Sequence, residues 1–271
     1  MQNRLPYRPL VLLLLASLIL ACATSPTGRR QLMLVSEQQA IAASKTAYLA
    51  TMKEFADAGK LEVDPAVQQR VQRITDRLIA QAVVMRPETR DWEWRIKVVN
   101  EAETVNAWCM AGGKMAIYTG LIDKLDASDD EIAQVMGHEI AHALANHTAE
   151  RMSVAMATSI GLAAVAVATD DRRRGATLAG AALAAKLAIE LPNSRTSEAE
   201  ADRIGIELAA RAGYDPRAAV SLWQKMAKVG GGGVPQFLST HPAPQNRERE
   251  LRALIPQMMP YYEQAKASRG G

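Results

Sequence analysis

Apolar positions recur at helical spacing along most of the chain and alternate in only two short stretches. Ile41, Tyr48, Leu49, Met52 and Phe55 share one helical face. Ser36 with Gln39 reads as a capping box ahead of them, and Gly59 as the stop. A second helix, opened by Asp64-Pro65, carries Val67, Val71, Ile74 and Leu78 on one side. Trp94 to Val99 alternates and predicts a strand; Met115 to Tyr118, entered through Gly112-Gly113, predicts another. Ser128 with Glu131 is a capping box for a long helix expected to reach Met152. Residues 153–191 are Ala-rich and broken at Asp170 to Gly175, which predicts a helical hairpin. Thr196 to Ala212 reads as a helix closed by Gly213. Another runs from Asp215-Pro216 to Val229, a flexible loop spans Gly230 to Gly233, and a last helix starts near Pro244. The expectation is an α+β fold, mostly helical, with a small sheet.

Composition narrows the class. The 271 residues are 48% apolar and 23% charged, which excludes a mainly disordered chain. Two cysteines exclude a disulfide scaffold and a four-cysteine zinc ribbon. The formal charge is +3, and Arg4 and Arg8 supply two of those charges. What remains is almost balanced, so no basic field argues for nucleic acid.

Arg4 and Arg8 precede the apolar run Leu10 to Leu20. The run is short for a membrane span and suits the core of a leader peptide over residues 1–21. It ends Ile19-Leu20-Ala21-Cys22, which resembles the bacterial lipobox. That resemblance implies a mature chain starting at a lipidated Cys22; an ordinary secretory signal is the alternative. The Ala, Thr and Ser after Cys22 resemble a sorting signal for the periplasmic face of the outer membrane. Cys109 is then expected to be a buried thiol. The two halves of 153–191 are Ala-rich and short, which favours packing in a soluble domain over membrane spans.

The chemistry concentrates at His138-Glu139-Ile140-Ala141-His142. Residues four apart on a helix lie one above the other, so both imidazoles can reach one ion. Zinc accepts neutral imidazole, and it lowers the pKa of a bound water toward roughly 7. Glu139 is rotated by about 100° from His138 and can take that water's proton. A third ligand is required. His147 lies off the His138/His142 face and reads as a supporting residue. Glu198 and Asp202 share a helix face, so one carboxylate can bind the metal while the other orients a ligand histidine. Glu200 is expected to point elsewhere.

An HExxH helix followed by a separate Glu-x-x-x-Asp helix resembles the gluzincins. The closest likeness is to the CAAX prenyl protease/HtpX/Oma-type metallopeptidases, in their LoiP/BepA-like periplasmic lipoprotein branch. Asn106-Ala107 followed by Gly112-Gly113, His147 to Arg151, Ser194-Arg195 before Glu198, and Ser239-Thr240-His241-Pro242 before Arg247 carry the resemblance over residues 60–255. Ala111 stands where the family's proline is usual. The resemblance implies a zincin-like metallopeptidase domain over 61–271, preceded by a tether and helix over 22–60. It implies zinc held by His138, His142 and Glu198, with Glu139 as base and Asp202 supporting a ligand. It places a peptide-binding edge strand at Lys114 to Tyr118, with Asn106, Gly112, Gly113, Lys114, Met115 and Ala116 as substrate-binding candidates. His241 either stabilises the oxyanion or closes the site as a fourth ligand. Arg247 anchors its loop or a substrate carbonyl. The implied function is cleavage of unfolded or misfolded envelope proteins. The alternative is an assembly or chaperone factor whose zinc site is plugged by His241.

Overall fold

The computed structural model describes residues 22–168, 193–229, 236–242 and 246–268. The leader over 1–21, the loop Gly230 to Gly233 and most of the expected 153–191 hairpin lie outside the described residues, as does the Cys22 side chain. Among the described residues no helix is long and apolar enough to cross a membrane.

The chain divides into two compact units, one built from segments within 1–36 and 149–190, the other from 37–148 and 191–271. In the smaller unit, β1 (Cys22–Thr24) pairs antiparallel with β2 (Arg30–Leu32). Arg29 grips the Glu150 carboxylate with both guanidinium nitrogens, at 2.7 and 2.6 Å. The Val35 backbone N–H donates to Ser153 Oγ at 2.9 Å.

The larger unit holds the core. Helix α1 (Glu37–Asp57) is followed by α2 (Pro65–Met85), whose cap Asp64 accepts from the Ala66 N–H at 2.8 Å. As its spacing predicts, α2 buries Val71, Ile74 and Leu78. The sheet consists of β3 (Arg95–Val99), β4 (Ala107–Met110) and β5 (Lys114–Tyr118), in the order β3-β5-β4. Strand β5 is parallel to β3, pairing Arg95 with Lys114, and antiparallel to β4, pairing Met110 with Lys114. Sequence patterning missed β4, whose four residues are too few to show alternation.

After the short α3 (Thr119–Lys124) come α4 (Asp129–Leu144), α5 (His147–Ala168), α6 (Arg195–Arg211), α7 (Ala218–Val229), α8 (Gln236–Thr240) and α9 (Arg247–Ala267). The single helix expected from Ser128 to Met152 is in fact two. Asn146 adopts φ +56°, a left-handed conformation that Asn tolerates, and the axis breaks there. Ile132, Met136 and Ile140 of α4 pack with Ile74 and Leu78 of α2, Met115 and Ile117 of β5, and Leu208 of α6. The fold is thus mostly helical, with a small sheet against α4.

Candidate metal centre

Helix α4 is pinned at both ends. Ser128 Oγ accepts from the Glu131 N–H at 3.2 Å, and Glu131 Oε2 accepts from the Ser128 N–H at 3.0 Å. At the other end Arg86 donates to the Leu144 carbonyl at 2.9 Å, satisfying a terminal carbonyl of the helix. Helix α6 starts at its own cap, Ser194, which accepts from the Ser197 N–H at 3.1 Å. It lies against α4 through two glycines. A Cβ on Gly137 would meet the Gly205 carbonyl oxygen at 2.8 Å, and one on Gly205 would meet the His138 nitrogen at 2.7 Å. Only this close approach brings the α6 carboxylates to the α4 histidines.

His138, His142, Glu198 and His241 are buried, and one donor atom from each lies within 4.8 Å of the others. His138 Nε2 is 3.1 Å from His142 Nε2 and 3.4 Å from Glu198 Oε2. His142 Nε2 is 3.3 Å from Glu198 Oε1. His241 Nδ1 stands 3.0 Å from Glu198 Oε1 and 3.3 Å from His138 Nε2. Imidazole nitrogens and a carboxylate converging in a buried pocket match the donor preferences of zinc. Glu139 Oε1 is buried beside them, without a hydrogen-bond partner among the described residues and 3.4 Å from His241 Nε2. The residues present therefore fit a zinc ion and an adjacent proton acceptor.

The electrostatics follow from burial and from crowding of the rings on one carboxylate. Burial pushes the Glu139 carboxyl above its ordinary range, against the pull of His241, His138 and the Cys109 backbone. Burial opposes ionisation of Glu198 too, but hydrogen bonds with His138, His142 and His241 prevail and hold it well below the usual carboxylate range. Burial pushes His142 far down, toward the neutral form that ligation requires. His138 is lowered by burial but raised more by Asp202 and Glu198, to about 9.

Outer partners complete the cluster. Asp202 Oδ1 is 3.0 Å from His138 Nδ1, the nitrogen facing away from the cluster. Arg247, buried, reaches Asp202 Oδ1 and stands 3.3 Å from Glu198 Oε2, with its guanidinium 3.4 Å above the Trp223 ring. The Arg247 fork is thus turned onto two carboxylates. Glu200 lies outside the four-residue cluster. It is buried and contacts His147, which in turn contacts His142. Phe237 stacks on His241 with centroids 4.4 Å apart, and Asn193 Nδ2 is 3.4 Å from His241 Nδ1. Sequence reasoning found neither of these, nor Trp223, because each reaches the site from a different element.

The sheet order corrects the expected edge strand at Lys114 to Tyr118. Lys114, Met115 and Ala116 lie on β5, which is paired on both sides, so their backbone is not free for a peptide. Met115 and Ala116 are fully buried, and Lys114 is tied to Glu93. The sheet edge on the side of α4 is β4. Gly112 and Gly113 form the β4–β5 turn, at φ +80° and +76°. A Cβ on Gly113 would enter the Trp94 ring, at 2.4 Å, so these glycines shape the turn. Asn106 precedes β4, and its side chain accepts from the Ala107 N–H at 2.9 Å.

The profile of peptidase family M48 matches residues 65–255. The chain belongs to that family. It is 38% identical over 181 residues to the mitochondrial metalloendopeptidase OMA1 of Arabidopsis thaliana, covering 66% of this chain and 35% of that protein. It is 34% identical over 242 residues to the OMA1 metalloendopeptidase of Bos taurus, covering 86% of this chain and 46% of that one. Metalloprotease YcaL of Escherichia coli is 28% identical over 249 residues, covering 88% of this chain and 96% of that one. The M48 chain thus spans less than half of the two OMA1 proteins and nearly all of YcaL.

Proposed function

We propose that this M48 chain is a zinc-dependent endopeptidase acting on unfolded or misfolded envelope proteins. The observation that carries the proposal is the convergence of His138, His142 and Glu198, with the buried Glu139 carboxyl, one oxygen of it unbonded among the described residues, beside them. His138, His142 and Glu198 would hold the ion. When bound, zinc would polarise the scissile carbonyl and make a water nucleophilic at neutral pH. Glu139 takes the water's proton and delivers it to the leaving nitrogen; its raised pKa suits a group that must both accept and release a proton. The outer edge of β4 binds the substrate as an added strand through main-chain hydrogen bonds. Such binding favours extended, unfolded chains over a particular sequence. Asn106, Gly112 and Gly113 set the position of that edge. The lipobox-like Ile19 to Cys22 supports anchoring through a lipid at Cys22 on the periplasmic face of the outer membrane. Release of a Cys22→Ala chain from the membrane fraction would test this last point.

A second reading rests on His241. Its Nδ1 lies among the other donors, and a set of four protein ligands is the mark of a closed zinc site. This supports a resting state in which His241 closes the site and the chain binds substrates without cutting them.

The test is casein cleavage by the full chain in detergent, beside Glu139→Gln and with zinc chelated. Cleavage by the parent alone, lost in the variant and on chelation, is expected. Undiminished cleavage by Glu139→Gln would overturn the role of Glu139, and undiminished cleavage after chelation would overturn the role of the metal.

A further inference from the structure

The two histidines of the HExxH motif are supported differently. His138 meets a carboxylate directly, through Asp202. His142 meets another imidazole: its Nδ1 is 2.8 Å from His147 Nδ1, and His147 Nε2 is 3.1 Å from Glu200 Oε2. All three groups are buried. We propose that His147 and Glu200 form a positioning relay that fixes the ring and tautomer of His142 as a metal ligand. The proposal rests on the reading of His138, His142 and Glu198 as the zinc site.

The fold explains how His147 gets there. Had α4 run on unbroken, a residue five positions after His142 would sit roughly 140° around the helix from it. The break at Asn146 starts a new helix at His147 instead and turns its ring back beneath His142. Arg86 fixes this corner, bonding the Leu144 carbonyl at 2.9 Å and approaching Asn146 Oδ1 at 3.5 Å. Glu200 arrives from α6, between Glu198 and Asp202. The three acidic residues of Glu198-Ala199-Glu200-Ala201-Asp202 thus all serve the cluster: one inside it, one behind His138, one behind His147.

Proton counting leaves one arrangement. A ligating His142 Nε2 must carry a lone pair, so its proton sits on Nδ1. That proton is donated to His147 Nδ1, which must therefore be the unprotonated nitrogen. The His147 proton then sits on Nε2 and is donated to the Glu200 carboxylate. Each imidazole is neutral, each hydrogen bond has one donor and one acceptor, and the negative end lies at Glu200. Such outer partners raise ligand basicity and typically contribute 10- to 100-fold in metal affinity.

The test measures zinc affinity by competition with a chromogenic chelator, and the absorption spectrum of the cobalt-substituted protein. Full-length parent, His147→Phe and Glu200→Gln are compared, with thermal melting of each metal-free protein. His147→Phe keeps a ring but removes both bonds; Glu200→Gln keeps shape and an acceptor but removes the charge. The expected result is a zinc affinity about 10- to 100-fold weaker in His147→Phe, a smaller loss in Glu200→Gln, and altered cobalt bands in both. Affinities and cobalt spectra equal to the parent's would overturn the relay, whatever the melting temperatures. If His147→Phe does not fold, Glu200→Gln alone decides by the same criteria. A parent that takes up neither zinc nor cobalt would overturn the zinc site itself, and the relay with it.

Discussion

Gly205 faces the backbone of His138 so closely that a Cβ there would stand 2.7 Å from its nitrogen and 2.8 Å from its Cα. In an open helix a Gly→Ala change adds about 1 kcal/mol of stability. Here the added methyl meets main chain, which cannot rotate away, so α4 and α6 must move apart. Gly205→Ala is expected to destabilise the protein by about 1–3 kcal/mol. It should also weaken zinc binding, because Glu198 and Asp202 ride on α6. Denaturant unfolding with a parallel zinc titration checks both. A variant more stable than the parent would contradict the close packing.

His241 presents Nδ1 to the cluster and Nε2 to Glu139. Its ring is held by Phe237. If the resting protein is closed by this ring, His241→Ala raises the population able to bind substrate. Casein cleavage is then expected to rise by roughly ten-fold or more, as when a competent state is a minor one. A fall of similar size would assign the ring to oxyanion stabilisation instead.

Glu131 ties the start of α4 to α7. Ser221 donates to its Oε1 at 2.7 Å and Lys225 to its Oε2 at 2.7 Å. Burial works to raise its pKa, but Lys225, Ser221 and the Ser128 N–H outweigh it, and the carboxyl lies below its ordinary 4.5. A depressed folded pKa contributes stability that is present above the unfolded value and lost as pH falls through the folded one. The melting temperature of the parent should therefore drop below about pH 4.5 more steeply than that of Glu131→Gln. At pH 7 the parent should be the more stable of the two. Parallel profiles from pH 7 to 3 would remove Glu131 from the account.

What could be read in the chain was whatever depends on neighbours in sequence. The spacing of Val71, Ile74 and Leu78 predicts the buried face of α2, and Ser128 with Glu131 predicts the cap of α4. The His138/His142 pair and the Glu198/Asp202 pair are each visible because a helix puts residues four apart on one face. Nothing local says that β5 lies between β3 and β4, since strand order is a property of the sheet. The expected edge at Lys114 therefore lies one strand too far in. His147 reads as a supporting residue, but that its ring returns to His142 has no local signal, because the break at Asn146 depends on one left-handed residue within a continuous helical pattern. Arg247 and Trp223 lie 24 residues apart on different helices, and their stacking has no trace in local pattern.

Arg247 carries the last prediction. Its guanidinium lies 3.4 Å above the Trp223 ring, reaches Asp202, and stands 3.3 Å from Glu198 Oε2. Removing one partner of a buried ion pair leaves an uncompensated charge, at a cost of about 3–5 kcal/mol. Arg247→Met keeps most of the length and the apolar contact with Trp223 while removing that charge. It is expected to lower the denaturant midpoint strongly and to let Asp202 swing from His138, weakening zinc binding. Arg247→Lys should recover only part of the loss, because a single ammonium cannot bridge two carboxylates as the planar fork does. A residue that gripped a substrate carbonyl would behave differently: its loss would raise KM and leave the unfolding midpoint and zinc affinity where they were. Measuring all three on the same variants separates a brace behind the ligands from a contact with substrate.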